Sequence, residues 1–207
     1  MIELNDLKKE LIEYGKLCGL KGYTPGVSGN ISARYKDKIL ITTSGSANGY
    51  LSKDDFVLIG FDGKPINSDK KPSSEKMLHC EFYKQRNDVD YILHVHSPYL
   101  SAFASANIAL DEPYMAENVF YFGKIPLAQY GLPSSEDLVE KTSKYFGEYK
   151  AVLMANHGFI IGDKSIRDAY LKLELAETYA QTVINAKILG GAIALNDFQV
   201  NEIYSLR

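Results

Sequence analysis

The sequence predicts a single mixed α/β domain, and three observations carry that prediction. Short runs with the period-two alternation of β-strands are interleaved with longer runs of helical period. The 207 residues are enough for one sizeable core and too few for two comfortable ones. No internal repeat, low-complexity tract or Pro/Ser-rich linker divides the chain, so residues 1–207 are read as one unit.

The elements follow in order. Residues 5–18 form an amphipathic helix pattern: Asn5 is the expected N-cap, Leu7, Leu11, Tyr14, Leu17 and Cys18 recur at helical spacing, and Gly19 and Gly22 end it. After a turn-rich stretch, 31–35 and 38–42 read as a hairpin with Lys36-Asp37 at its turn, and 56–60 as a further strand. Pro72-Ser73-Ser74-Glu75 opens a helix of about a dozen residues. A strand over 91–97 and an apolar helix over 98–106 come next. Residues 107–133 mix loops with short strands such as 125–128, and Ser134 is the expected cap of a helix reaching Phe146. Two short strand-like runs, 151–154 and 159–161, flank Asn156-His157-Gly158. Ser165, with Asp168 three residues on, starts the longest helix, which ends near Leu189.

Composition excludes several classes of function. With 45% hydrophobic and 24% charged residues, the chain has the make-up of an ordinary soluble globular protein. A net charge of -3 gives no basic face for nucleic acid. No apolar run approaches the roughly 20 residues that span a bilayer, and the first ten residues carry charges where a signal peptide needs an apolar stretch. Cys18 and Cys80 are too few for a disulfide framework and fit a reducing compartment, so the expected location is the cytoplasm.

The chemistry concentrates around His94 and His96. On an alternating strand they leave the backbone on one face, where two neutral imidazoles can reach one zinc-like ion. His157, between two apolar runs and backed by Gly158, is a third candidate ligand. Glu75, on the first turn of its helix, can complete a four-coordinate site with a carboxylate able to leave when substrate arrives. His79, four residues on along the same helix face, is its rival, although an interior helical histidine is more often a satisfied core residue.

Three small, hydroxyl-rich or glycine-bearing segments accompany these ligands: Ser28-Gly29-Asn30, Thr43-Ser44-Gly45 and Ser73-Ser74. Glycines let backbone N–H groups close on an anion, and the pair at 73–74 also sits at a helix N-terminus. Each alone reads as an ordinary turn or cap. Together, beside a metal set, they predict a phosphorylated substrate held at one end and polarised at the other.

Five stretches in register, GVSGNISAR (26–34), ITTSGS (41–46), PSSE (72–75), HVHS (94–97) and NHG (156–158), make the sequence similar to the class II aldolase/adducin family, over about residues 7–185. The resemblance implies a three-layer α/β/α fold with a mostly antiparallel central sheet. It implies a Zn2+ site formed by Glu75, His94, His96 and His157, and a phosphate site formed by Gly29, Asn30, Ser44, Gly45, Ser73 and Ser74. It further implies a homotetramer with interfacial active sites, in which Tyr114 of a neighbouring subunit serves as a catalytic residue. A tyrosine in a mobile C-terminal tail contributes in such aldolases, and Tyr204 is its counterpart candidate. The implied reaction is reversible cleavage of a ketose 1-phosphate to dihydroxyacetone phosphate and an aldehyde, with Glu75 as proton shuttle. Other reactions on this fold are pentulose 5-phosphate epimerisation, for which the resemblance expects aspartate in place of Glu75, methylthioribulose 1-phosphate dehydration, with Glu117 as acid/base, and sugar-acid phosphate decarboxylation. Adducin-type scaffolds share the fold without the histidines.

Overall fold

The structure, a computed structural model, describes residues 3–207. Strands β1 (Asn30–Tyr35), β2 (Lys38–Thr42), β3 (Phe56–Ile59), β4 (Tyr91–Val95), β5 (Leu127–Ala128), β6 (Ala151–Met154) and β7 (Gly158–Asp163) form one sheet. Their order is β3-β2-β1-β4-β7-β6-β5, and every neighbouring pair is antiparallel except β5 and β6. The expected hairpin is β1–β2, turning at Lys36, whose φ of 57° places it in the left-handed region.

Side-chain alternation splits the core into two layers, one on each face of the sheet. Ile31, Ala33, Leu93, Val95, Leu153, Phe159 and Ile161 point to one face. Helices α1 (Leu4–Leu20), α3 (Pro98–Ala106) and α6 (Ile166–Ile188) cover it with Leu7, Leu11, Leu100, Phe103, Leu173 and Ala176. Ile39, Ile41, Ile92, Val152, Met154 and Ile160 point to the other, under α2 (Lys76–Gln85) and α5 (Glu136–Ser143). There Phe82 stacks on Phe146 with ring centroids 4.2 Å apart, a pair that contributes about 1 kcal/mol beyond its burial. The result is the three-layer α/β/α arrangement that the resemblance implies.

Several boundaries differ from the sequence reading. The N-cap of α1 is Glu3, not Asn5, and the helix runs through Gly19 to Leu20; Gly22, with φ 72°, follows its end. The cap of α5 is Ser135, whose hydroxyl accepts from the Leu138 N–H at 3.3 Å. Ser134 instead takes φ 67°, and the helix stops at Ser143 rather than Phe146. Glu75 is the residue immediately before α2 rather than part of its first turn, and its side chain makes no cap bond. Two elements escape the sequence pattern: α4 (Ala116–Tyr121), inside the unassigned 107–133 region, and α7 (Asp197–Tyr204), closed by an Asn196–Gln199 capping box and packed on α4. The long helix α6 begins as predicted, with Ser165 accepting from the Asp168 N–H at 3.0 Å.

Antiparallel pairing brings three chain positions to one end of the sheet. The start of β1 lies beside the end of β4, with Asn30 opposite His94, and the start of β7 lies on its other side, with Phe159 opposite Val95. The approach to α2 arrives at the same end.

Candidate metal centre

His94 is fully buried, and its Nδ1–H donates to the Phe159 carbonyl at 3.0 Å, which turns Nε2 outward. His96 Nε2 lies 3.1 Å from His94 Nε2. His157 is the last residue of the three-residue connection between β6 and β7, behind Asn156, which takes φ 54° as asparagine readily does. Glycine is required twice for this convergence. A Cβ on Gly158 would lie 2.5 Å from the Val95 carbonyl and 2.9 Å from the His96 ring, and one on Gly29, at φ 71°, would lie 2.4 Å from the His94 carbonyl.

The Glu75 carboxylate faces this cluster, with Oε2 3.0 Å from His94 Nε2 and Oε1 3.1 Å from His157 Nε2. The ligand nitrogens of His94, His96 and His157 all lie within 4.8 Å of one another. Two imidazole nitrogens on one tetrahedral zinc-like ion stand about 3.3 Å apart, from bond lengths near 2.05 Å. The 3.1 Å between the His94 and His96 nitrogens fits that spacing. Glu75 Oε1 is buried and has no well-directed hydrogen bond despite its closeness to His157. A buried carboxylate oxygen left in that state suits a cation-binding role. The three imidazoles and this carboxylate therefore fit a divalent metal.

Electrostatics point the same way. Burial pushes the Glu75 carboxyl up, but the His94 and His157 imidazoles outweigh it and hold the group well below the usual carboxylate range. For His96, burial first and the neighbouring His94 and His157 next push the imidazole down to about 3, leaving a neutral ring with a lone pair to offer. Burial likewise disfavours the charged form of His94, yet the Glu75 carboxylate prevails and raises it.

Beside the cluster lies a cleft of about 210 Å³. All six residues of the anticipated anion site, Gly29, Asn30, Ser44, Gly45, Ser73 and Ser74, line it together with Glu75, His96 and His157. Ser73 has a further task, since its hydroxyl accepts from the Glu75 N–H at 3.3 Å and shapes the turn that presents the carboxylate. The Asn30 side chain is committed elsewhere, with Nδ2 donating to Glu75 Oε2 at 3.0 Å.

Residues 9–184 match the family model described as Class II Aldolase and Adducin N-terminal domain. The chain belongs to the class II aldolase and adducin family. An L-fuculose phosphate aldolase from Methanocaldococcus jannaschii is 35% identical over 179 residues, which cover 86% of this chain and 96% of that protein. A 3-oxo-tetronate 4-phosphate decarboxylase from Haemophilus influenzae is 32% identical over 180 residues, covering 84% of this chain and 85% of that one. A solved structure of an L-fuculose 1-phosphate aldolase superposes with a TM-score of 0.91 at 28% identity, covering 100% of this chain and 97% of that chain.

Other residues singled out in this class II aldolase sequence fall outside the cleft. His79 is no rival ligand: it is fully buried, with one ring nitrogen 2.6 Å from Ser32 Oγ and the other bonded to Asn30 Oδ1. Tyr114 is half-buried against the α6 side of the core, its N–H directed at the Glu112 carbonyl and the Tyr179 hydroxyl. Tyr204, on α7, stacks with Arg207 and sits beside Gly123. Glu117 is exposed on α4. Sequence reading missed Val27, Ser46, Pro133 and Ser134 as cleft-lining residues. The first two lie inside the stretches 26–34 and 41–46 but were not assigned to the anion site, whereas the last two are brought in by the β5–α5 connection, which has no local signature of a binding site.

Proposed function

We propose that the protein is a zinc-dependent class II aldolase that reversibly cleaves a ketose 1-phosphate, L-fuculose 1-phosphate foremost, to dihydroxyacetone phosphate and an aldehyde. The observation carrying this reading is Glu75, an ionised carboxylate bracketed by His94 and His157 and opening onto a hydroxyl- and glycine-lined cleft. Cleavage removes the proton of the C4 hydroxyl, breaks the C3–C4 bond and returns a proton to C3 of dihydroxyacetone phosphate. A divalent ion held by His94, His96, His157 and Glu75 supplies Lewis acidity for the negative charge that develops beside the ketone. Glu75 holds and delivers the C3 proton. Backbone and hydroxyl donors from Gly29, Ser44, Gly45, Ser73 and Ser74 hold the phosphate, with Asn30 beside them, and so fix the reacting carbons near Glu75.

In the same reading the protein works in the cytoplasm as a homotetramer, each site taking Tyr114 from a neighbouring subunit to serve the aldehyde oxygen. Its cysteines are free and buried, and among the described residues no helix is long and apolar enough to cross a membrane. Because a decarboxylase is among the relatives, the loss of CO2 from a 3-oxo sugar-acid phosphate is the second reading. It requires the same stabilisation of charge beside a carbonyl.

The test is release of dihydroxyacetone phosphate by zinc-loaded protein from L-fuculose 1-phosphate, run beside L-rhamnulose, L-ribulose and D-ribulose 1-phosphates. Release that a chelator abolishes and zinc restores is the expected result. No release from any of the four, with zinc bound, overturns the aldolase reading and moves the search to decarboxylation, epimerisation and dehydration.

A further inference from the structure

His79 is fully buried on α2, is unused by the metal set, and has no carboxylate among its hydrogen-bond partners. Its surroundings nevertheless form a continuous chain that ends on Glu75. Tyr83 Oη lies 2.8 Å from Ser32 Oγ, Ser32 Oγ lies 2.6 Å from His79 Nδ1, His79 Nε2 contacts Asn30 Oδ1, and Asn30 Nδ2 lies 3.0 Å from Glu75 Oε2.

The direction of every bond follows from its end. Asn30 turns its NH2 group to Glu75 Oε2 and its carbonyl oxygen to His79 Nε2; an amide nitrogen only donates and an amide oxygen only accepts. His79 Nε2 must then carry a proton to donate. Burial holds His79 in its neutral form by pushing the imidazole down to about 3, so the ring has one proton and Nδ1 accepts. Ser32 therefore donates to Nδ1, and the Tyr83 hydroxyl, its other partner, donates to Ser32. At the far end the Tyr83 hydroxyl also has the Asp90 carbonyl at 3.4 Å, but with the Ser32 proton on Nδ1, turning there would leave two acceptors facing across 2.8 Å.

We propose that His79 is a positioning residue for Glu75, acting through Asn30 by a one-way hydrogen-bond relay from Tyr83 and Ser32. A flipped Asn30 would set its carbonyl against the carboxylate and withdraw the donor. With the relay intact, Oε2 stays anchored on Asn30 while Oε1 is the oxygen free to exchange a proton. The kinetic role rests on the aldolase reading above, whereas the orientation of the relay is a property of the folded chain alone.

Two measurements test it. In ¹⁵N NMR of the wild-type protein, with and without zinc, the His79 ring should carry its proton on Nε2 and none on Nδ1. A proton on Nδ1, or on both nitrogens, near neutral pH overturns the relay whatever the enzyme does. The second measurement is exchange of the C3 proton of dihydroxyacetone phosphate with D2O, which reads the Glu75 step directly. H79L should slow exchange roughly 10–100-fold, the range found when a residue orienting a metal-site group is lost. Zinc content should remain at one ion per chain, and H79Q, which keeps an N–H donor, should recover much of the rate. In an Asn30→Ala background H79L should have almost no further effect, since its route to Glu75 is already cut. Losses that multiply in the double variant overturn action through Asn30. If H79L does not fold, the tautomer and H79Q decide. Wild-type protein that exchanges no proton discards the aldolase reading and leaves the tautomer measurement to judge the relay.

Discussion

At Glu75 two opposing effects meet. Burial favours the neutral acid, and the imidazoles of His94 and His157, 3.0 and 3.1 Å from its two oxygens, favour the anion and prevail. A side chain that is both a candidate metal ligand and a proton carrier needs that balance, because it must be ionised to bind and must accept a proton during turnover. Glu75→Gln keeps the shape and the Asn30 contact but removes the basic oxygen. The chain should fold as before, with turnover reduced about 10²–10⁴-fold, the usual contribution of a positioned acid or base. Steady-state rates beside a urea unfolding curve check both halves, and near-wild-type turnover would reject the proton-shuttle role. The same carboxylate explains why Asn30 belongs to two descriptions: it lines the anion cleft, but its amide is spent on Glu75.

Among the elements, α6 does more than cover the sheet. From its middle, the buried Glu177 carboxylate accepts from Ser97 Oγ at 2.7 Å and from the Tyr99 and Leu100 N–H groups at 2.8 and 2.9 Å. It thereby caps α3 and fixes the chain immediately after His96. Glu177→Ala strands these donors in a dry site and should lower unfolding stability by about 3 kcal/mol, with Glu177→Gln milder because one acceptor oxygen remains. Chemical denaturation of the three proteins measures this, and a loss below about 0.5 kcal/mol, the range of ordinary surface changes, would contradict it.

This clamp also marks what sequence could and could not reveal. The long helix was legible because Ser165 and Asp168 announce its start and its apolar positions keep period. The convergence of these side chains was legible because His94 and His96 stand two residues apart on an alternating run, and the motif order pointed to Glu75 and His157 as the groups that meet them. The Glu177–Ser97 bond joins residues 80 apart in sequence, and the Ser32–His79 bond residues 47 apart, so no local pattern could announce either. Ser134 failed as a cap by one position, since a one-residue change in backbone conformation moves the cap to Ser135. Helices α4 and α7 have six and eight residues, too short for a convincing period.

On the scale of the molecule, Asp163 at the end of β7 ties the sheet to both flanks. It pairs with Lys172 of α6 and, at 3.3 Å, with Lys150 ahead of β6, and accepts from the Lys164 N–H at 2.8 Å. Burial raises its pKa, but Lys172, the Lys164 N–H and Lys150 outweigh burial and leave it depressed. A depressed carboxyl adds stability that is present above the unfolded value, about 3.9, and is lost as pH falls through the folded value. Asp163→Asn should therefore cost about 1–3 kcal/mol at neutral pH. The gap from wild type should close as pH drops below about 3.9. Unfolding curves across pH test it, and a gap that does not change with pH would exclude the ionic origin.

The assembly provides the last test, because an active site shared between subunits has a consequence that a site within one chain lacks. Tyr114 lies outside the cleft of its own chain. If Tyr114 serves the neighbour's cleft, Glu75→Gln and Tyr114→Phe chains are each deficient for different reasons. Mixed in one ring, about a quarter of the sites would join an intact Glu75 from one chain to an intact Tyr114 from the next. Co-expressed and purified together, the two variants should therefore recover roughly that fraction of wild-type activity, above the sum of the separate proteins. Light scattering on the same samples should give four chains per particle. Absence of recovery in mixed tetramers would mean that Tyr114 acts within its own chain or not at all.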